Sequence, residues 1–155
     1  MIEGLRRIPL VRHEDERGWF CELRRDSALP KPMRQTNLSF SRAGVIRGLH
    51  YHERGQDDLF ACVRGTARVV VLDRSTGEHF TEDIGESNPV AIYIPGSNAH
   101  GFEALTDILF CYHVTTEFDP GDPDEHTVPW NDPRVASLWS TTTPILSARD
   151  AAVES

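Results

Sequence analysis

Lysine is almost missing from this chain. Of its sixteen basic side chains in 155 residues, fifteen are arginine and one, Lys31, is lysine. Chemistry that needs a lysine Schiff base or a lysine clamp on developing charge must therefore use Lys31 or do without. Cysteine is also scarce: Cys21, Cys62 and Cys111 are an odd number, far apart, each among strand-forming residues. That pattern excludes a disulfide framework and predicts small buried hydrophobes in a reducing compartment. Positive charge is in deficit, with 16 basic against 24 acidic side chains and a net charge of −8. A nucleic-acid partner, which needs a basic face to neutralise phosphates, is excluded on that balance. No apolar run reaches the roughly 20 residues of a membrane span, so no membrane partner is expected. The first twenty residues carry Glu3, Arg6, Arg7, Arg12, Glu14, Asp15, Glu16 and Arg17, which argues against a secretory signal and for a cytoplasmic location.

What is present is globular: 39% hydrophobic and 26% charged residues, in a length that suits one domain. Helical periodicity is scarce. Short runs rich in Val, Ile, Phe, Tyr and Thr recur between Gly, Pro and Asp, the pattern of an all-β sandwich or barrel. The runs predict strands over 8–12, 18–24, 35–41, 45–51, 58–63, 66–73, 79–83, 90–94, 100–104 and 108–115. Arg64-Gly65, residues 74–77 and residues 95–98 read as turns. The acidic, proline-rich stretch 119–125 reads as a surface loop, and only the tail from Asp132 has room for a helical turn. One domain over 1–155 with a short C-terminal tail is the expected organisation.

Two clusters can carry chemistry. One is Gly44-x5-His50-x-His52-x5-Asp58-x6-Gly65, and the other is Pro95-x-Ser97-x-x-His100. Histidines at i and i+2 on a strand share a face. A carboxylate opening the next strand and a histidine from a later hairpin can converge on them inside a barrel mouth, giving a donor set suited to Fe, Mn, Ni or Zn. A polar barrel mouth without metal is the alternative. The spacing resembles the two cupin motifs, which implies a jelly-roll β-barrel with the site inside. It departs from them by Asp in place of Glu, one extra residue before it, and Ser97 in place of Gly.

A longer pattern narrows the resemblance. Asp15-Glu16-Arg17-Gly18-Trp19-Phe20-Cys21-Glu22, Arg34-Gln35-Thr36-Asn37-Leu38-Ser39, Gly44-Val45-Ile46-Arg47-Gly48-Leu49-His50-Tyr51, Ile94-Pro95, Ala99-His100-Gly101-Phe102 and Trp130-Asn131-Asp132-Pro133 occur in order. Together they resemble the dTDP-4-dehydrorhamnose 3,5-epimerase family, dimeric cupin-fold isomerases of nucleotide-linked 4-keto-6-deoxy sugars. A ketone at C4 acidifies the hydrogens at C3 and C5. Epimerisation then needs a base, enolate stabilisation, and an acid on the opposite face.

The resemblance implies that His50 is the base, Asp150 the carboxylate that orients it, and Tyr112 the acid. It implies substrate contacts from Arg17, Glu22, Gln35, Asn37, Arg47, His100, Phe118, Glu125 and Arg149, with Phe118 standing where the family usually has tyrosine. A nucleotide-diphosphate sugar is the implied substrate, a homodimer the implied assembly, and no cofactor is implied. One position departs sharply. The family places an enolate-stabilising lysine where this chain has Asp58. Three alternatives follow: Arg47 or His100 supplies the charge; a metal held by His50, His52, Asp58 and His100 polarises the ketone; or the reaction has moved, for example to the 3,4-ketoisomerases that the His-x-His pair resembles. A metal-free epimerase, inverting C3, C5 or both, is the expectation carried forward, with a non-catalytic sugar-binding cupin as the remaining alternative.

Overall fold

The computed structural model describes residues 1–153. Its strands in chain order are β1 (Arg6–Pro9), β2 (Arg12–Asp15), β3 (Gly18–Cys21), β4 (Gln35–Ser41), β5 (Ile46–Tyr51), β6 (Asp57–Arg64), β7 (Thr66–Leu72), β8 (His79–Gly85), β9 (Val90–Pro95), β10 (Ala99–Ala104), β11 (Ile108–Val114) and β12 (His126–Thr127). They build two five-stranded antiparallel sheets, β1-β9-β6-β11-β4 and β12-β5-β10-β7-β8, while β2 and β3 form a separate hairpin. This is the jelly-roll barrel expected from the sequence.

Between the sheets lies a core of Phe60, Cys62, Val69, Val71, Ile92, Phe102 and Phe110. Phe102 stacks on Phe110 with ring centroids 3.8 Å apart, and Phe60 meets both edge-on. Each sheet also buries the central part of its outer face. Leu59, Ala61, Ala91 and Tyr93 are covered by Leu23, Leu29 and Met33 from the N-terminal segment. Leu49, Val70, Leu72 and Ala99 are covered by Val135 and Trp139 from the tail. Burial on both faces explains why β7 and β9 read as unbroken apolar runs rather than alternating ones. Cys62 and Cys111 are buried and unpaired, as expected, while Cys21 is only partly covered.

Strand bounds follow the sequence reading closely, and β4 matches it residue for residue. The predicted strand over 8–12 is instead split into β1 and β2. Pro9 has no N–H to extend the ladder with β9, and Leu10 N–H turns to Pro89 O. β3 stops at Cys21, short of Arg24, and Leu23 packs beneath the first sheet. β12 has two residues and no sequence signal. The tail carries two helical turns rather than one: a 3₁₀ turn at Ala136–Leu138 and α1 (Ala148–Ala151).

The pairing of β5 with β10 contains a bulge. His100 faces His50, but Phe102 faces Arg47, so Gly48 and Leu49 together oppose Gly101. Gly48 has φ +132°, and a Cβ there would sit 2.7 Å from Gly101 Cα. Only glycine permits this approach. In a regular strand Arg47 and His50, three residues apart, would face opposite sides; the extra residue lets both face the barrel interior.

Candidate active site

The open end of the barrel holds a cavity of about 860 Å³, large enough for a nucleotide sugar's glycosyl end. One sheet contributes Gln35, Asn37, Asp58 and Tyr112; the other contributes Arg47, His50 and His100. Phe118, Glu125, Arg149 and Asp150 close the rim.

Asp150 arrives from the tail. Ile145 pairs through its backbone with Gly44 and Ile46, and Ser147 caps α1 by accepting the Asp150 N–H at 3.1 Å. The Asp150 carboxylate, 3% exposed, lies 2.8 Å from His50 Nε2 and 3.3 Å from the Gly48 N–H. Burial works against the ionised carboxylate, yet the His50 hydrogen bond and charge outweigh it and hold the pKa below its ordinary value. A carboxylate can only accept, so Nε2 carries a proton, and Nδ1 is the ring nitrogen turned away from Asp150, 3.6 Å from Glu125 Oε1. Arg149 Nη2 also lies 2.8 Å from Nε2. One ring nitrogen cannot donate and accept in its plane together, so this contact is charge attraction to the pair, and Arg149 makes its directed bond to Glu125 at 2.6 Å.

On the opposite wall, Tyr112 is half-buried against the edge of Phe60. Burial raises its pKa, with Arg47 pulling weakly the other way, so the phenol is protonated at neutral pH. Arg47 is held by Ser41 Oγ at 2.9 Å and Phe40 O at 3.2 Å. Gln35 donates to Asn37 at 2.9 Å and accepts the Phe118 N–H at 2.8 Å, tying the rim loop to β4.

Asp58 points inward, between His52 and His100. His52 Nε2 lies 3.6 Å from Oδ1 and His100 Nε2 lies 3.3 Å from Oδ2. Burial opposes ionisation of Asp58, but the two imidazoles and Gln56 outweigh it and lower its pKa. His100 is raised because Asp58 outweighs burial, whereas burial and the neighbouring His100 lower His52. His50 is not part of this group: the four-ligand set weighed as an alternative reduces to three. The reason is Asp150, which holds His50 on the tail side.

Two expected contacts fall outside the cavity of their own chain. Arg17, at the tip of the β2–β3 hairpin, pairs with Asp15 and is exposed; Glu22 pairs with Arg25 at 2.5 Å. Lys31 is equally remote, pairing with Asp57 at 2.9 Å on the outer face of β6. Among the cavity residues that the sequence reading missed are Gln56 and Asp124. Gln56 bridges His52 and Asp58, a role its position two before Asp58 hints at. Asp124 accepts the Glu53 and Arg54 N–H groups at 3.0 and 2.7 Å, and its carbonyl takes the His52 Nδ1–H. It lies in the loop read as mere surface, and a backbone carbonyl leaves no sequence signal.

Residues 1–155 match the family model described as dTDP-4-dehydrorhamnose 3,5-epimerase. The spore coat polysaccharide biosynthesis protein SpsL of Bacillus subtilis is 38% identical over 149 residues, covering 91% of this chain and 98% of that protein. The rmlC epimerase of Mycobacterium tuberculosis superposes with a TM-score of 0.89 at 33% identity, covering 99% of this chain and 84% of that one. The Legionella pneumophila dTDP-6-deoxy-D-glucose-3,5-epimerase RmlC, solved with dTDP-4-keto-L-rhamnose, superposes at 0.86 with 29% identity, covering 97% and 87%.

Proposed function

Because the chain belongs to the dTDP-4-dehydrorhamnose 3,5-epimerase family, we propose that its cavity inverts C3, C5 or both of a dTDP-linked 4-keto-6-deoxy sugar. The observation that carries this is the placement of His50 and Tyr112 on opposite walls, with His50 oriented by a buried carboxylate. Inversion requires a proton to leave one face of the carbon and return to the other. His50 Nδ1 takes the proton next to the ketone, and Asp150 supports the imidazolium that forms. The enolate is then protonated by the Tyr112 phenol from the opposite side. Gln35, Asn37, Arg47 and His100 contact the sugar, while Phe118, Glu125 and Arg149 line the rim where the diphosphate enters. Arginine's planar fork suits that diphosphate.

The assembly we propose is a homodimer. Trp19 and Phe20 on the hairpin, 51% and 64% exposed, and Leu38 and Phe40 on the edge strand β4, 66% and 55% exposed, form apolar surface that a lone protomer leaves in water. Laying the hairpin across a second copy would cover it and carry Arg17 and Glu22 to the neighbouring cavity, which accounts for their absence from their own. Residues 1–155 act as one domain in this reading. Among the described residues no helix is long and apolar enough to cross a membrane, and a cytoplasmic location fits the reduced cysteines.

The test is solvent-deuterium incorporation at C3 and C5 of a dTDP-4-keto-6-deoxyhexose, followed by NMR. Incorporation should vanish in His50→Ala and survive in His79→Ala. Exchange persisting in His50→Ala would remove His50 as the base. Light scattering at micromolar concentration checks the dimer, and a monomeric mass refutes it.

A further inference from the structure

We propose that His52, Asp58 and His100 bind a divalent transition-metal ion, such as Zn²⁺ or Fe²⁺, through two imidazole Nε2 atoms and one carboxylate. The sequence alone favoured a site without metal; the geometry points the other way. All three side chains are at least nine-tenths buried, and one donor atom from each lies within 4.8 Å of the others.

The arrangement of protons is the first argument. His52 Nδ1 donates to the Asp124 carbonyl at 2.5 Å, and His100 Nδ1 donates to the Asn98 carbonyl at 2.8 Å. A carbonyl only accepts, so each imidazole keeps a proton on Nδ1 and turns Nε2 toward Asp58, where an ion would stand in place of any Nε2 proton. Metal-bound histidines are held in just this way, by a backbone acceptor on the far nitrogen. The result is three inward-facing donor atoms around one point.

Spacing is the second. The Nε2–carboxylate separations of 3.3 and 3.6 Å exceed the roughly 2.7–2.9 Å of a charge-assisted hydrogen bond. The two distances run to different oxygens of Asp58, Oδ2 for His100 and Oδ1 for His52, and each is close to the roughly 3.3–3.6 Å between neighbouring ligands of an ion bound at about 2.0–2.2 Å, so an ion between the imidazoles has a carboxylate oxygen within reach on either side. Gln56 marks the same place: its amide lies 3.0 Å from His52 Nε2 and 3.1 Å from Asp58 Oδ1, a neutral donor bridging two groups that demand positive charge. An ion would displace it toward the cavity, which Gln56 already lines.

Two imidazoles and one carboxylate leave coordination positions open, and all three side chains line the cavity. Ion binding itself does not depend on the epimerase reading. Its role does: resting on that reading, the ion is a Lewis acid for the sugar's C4 ketone, His100 reaches the sugar through the ion rather than directly, and the ion supplies the positive charge that Asp58 denies at the position where the family resemblance places a lysine.

The experiment titrates Co²⁺ alone, without substrate, into untagged, chelator-washed full-length protein, and reads the ligand-field absorption and the shift in thermal unfolding. One equivalent per chain should bind. Asp58→Asn and His100→Ala should weaken binding by more than the roughly 10–100-fold that loss of an outer-shell partner costs. His50→Ala and His126→Ala should bind as the parent does. Asp58→Asn keeps the side chain's shape and guards against a variant that merely fails to fold. No saturable binding by the parent protein, or a loss in His50→Ala as large as in His100→Ala, would overturn the assignment. Absence of binding would leave the epimerase reading standing, since deuterium exchange is measured separately.

Discussion

Replacing Asp150 by asparagine tests the centre of the proposed mechanism. The carboxylate sits 2.8 Å from His50 Nε2, buried, and the imidazole gains a full charge when Nδ1 takes the substrate proton. Charge centres about 4 Å apart attract by about 4 kcal/mol at an effective dielectric of about 20. With part of that charge developed at the transition state, kcat should fall by about 10²–10³. KM should change little, because the interaction strengthens only as the proton moves. Stability should also fall, for a separate reason. Asparagine has one acceptor oxygen, so either the His50 Nε2–H or the Gly48 N–H loses its partner, at about 1–3 kcal/mol. Steady-state turnover of a dTDP-4-keto-6-deoxyhexose and urea unfolding would be measured on the same preparation. A folded Asp150→Asn protein whose kcat stays within about tenfold of the parent would refute the reasoning.

Other parts of the structure set four further outcomes. Tyr112→Phe should keep deuterium exchange at the acidified carbon but slow inversion by about 10²–10⁴, read as washed-in label without epimer. Because burial holds the Tyr112 pKa above its ordinary value, the protonated acid persists through neutral pH, so any alkaline limb it causes should lie above about pH 10; a limb below that, absent in Tyr112→Phe, would count against the role. Tyr93→Phe removes the buried hydroxyl that donates to Asp57 at 2.6 Å and should cost about 1–3 kcal/mol in urea unfolding, with exchange activity retained. Gly48→Ala should yield little soluble protein, since its Cβ would meet Gly101 Cα and His100 O at 2.7 and 2.9 Å; normal yield and activity would show that the bulge can relax.

The barrel was legible because its central strands are buried on both faces and separated by Gly and Pro turns, so apolar runs and breaks coincide with real edges. β4 shows the limit of pattern alone. Its inward residues Gln35, Asn37 and Ser39 are polar and its outward residues Leu38 and Phe40 apolar, the reverse of a simple core strand. The inversion makes sense only once a wet cavity lies inside and apolar surface outside. Asp150 and His50, a hundred residues apart, were brought together in the sequence reading by family register; no spacing rule joins them. The three-residue group around Asp58 was half visible. The His-x-His pair and His100 were read as convergent, but the exclusion of His50 depends on the tail, and the carbonyl of Asp124 has no signature in sequence. Gly48 and Gly101 entered the sequence reading only as members of two motifs, and the bulge that turns Arg47 inward was not anticipated.

The tail that delivers Asp150 divides folding from competence. α1 is one turn long and holds to the barrel through the Ile145 backbone bonds, the packing of Leu146 and the contacts of Arg149 and Asp150. Segments so lightly anchored open at a fraction of the global unfolding free energy. A molecule with this turn undocked would keep both sheets and the aromatic core intact. It would pass every spectroscopic check for β-structure and yet be silent toward substrate. On the role proposed for Asp150, the population of active molecules would follow the grip of these few residues, and activity would report on that grip long before the barrel itself gives way.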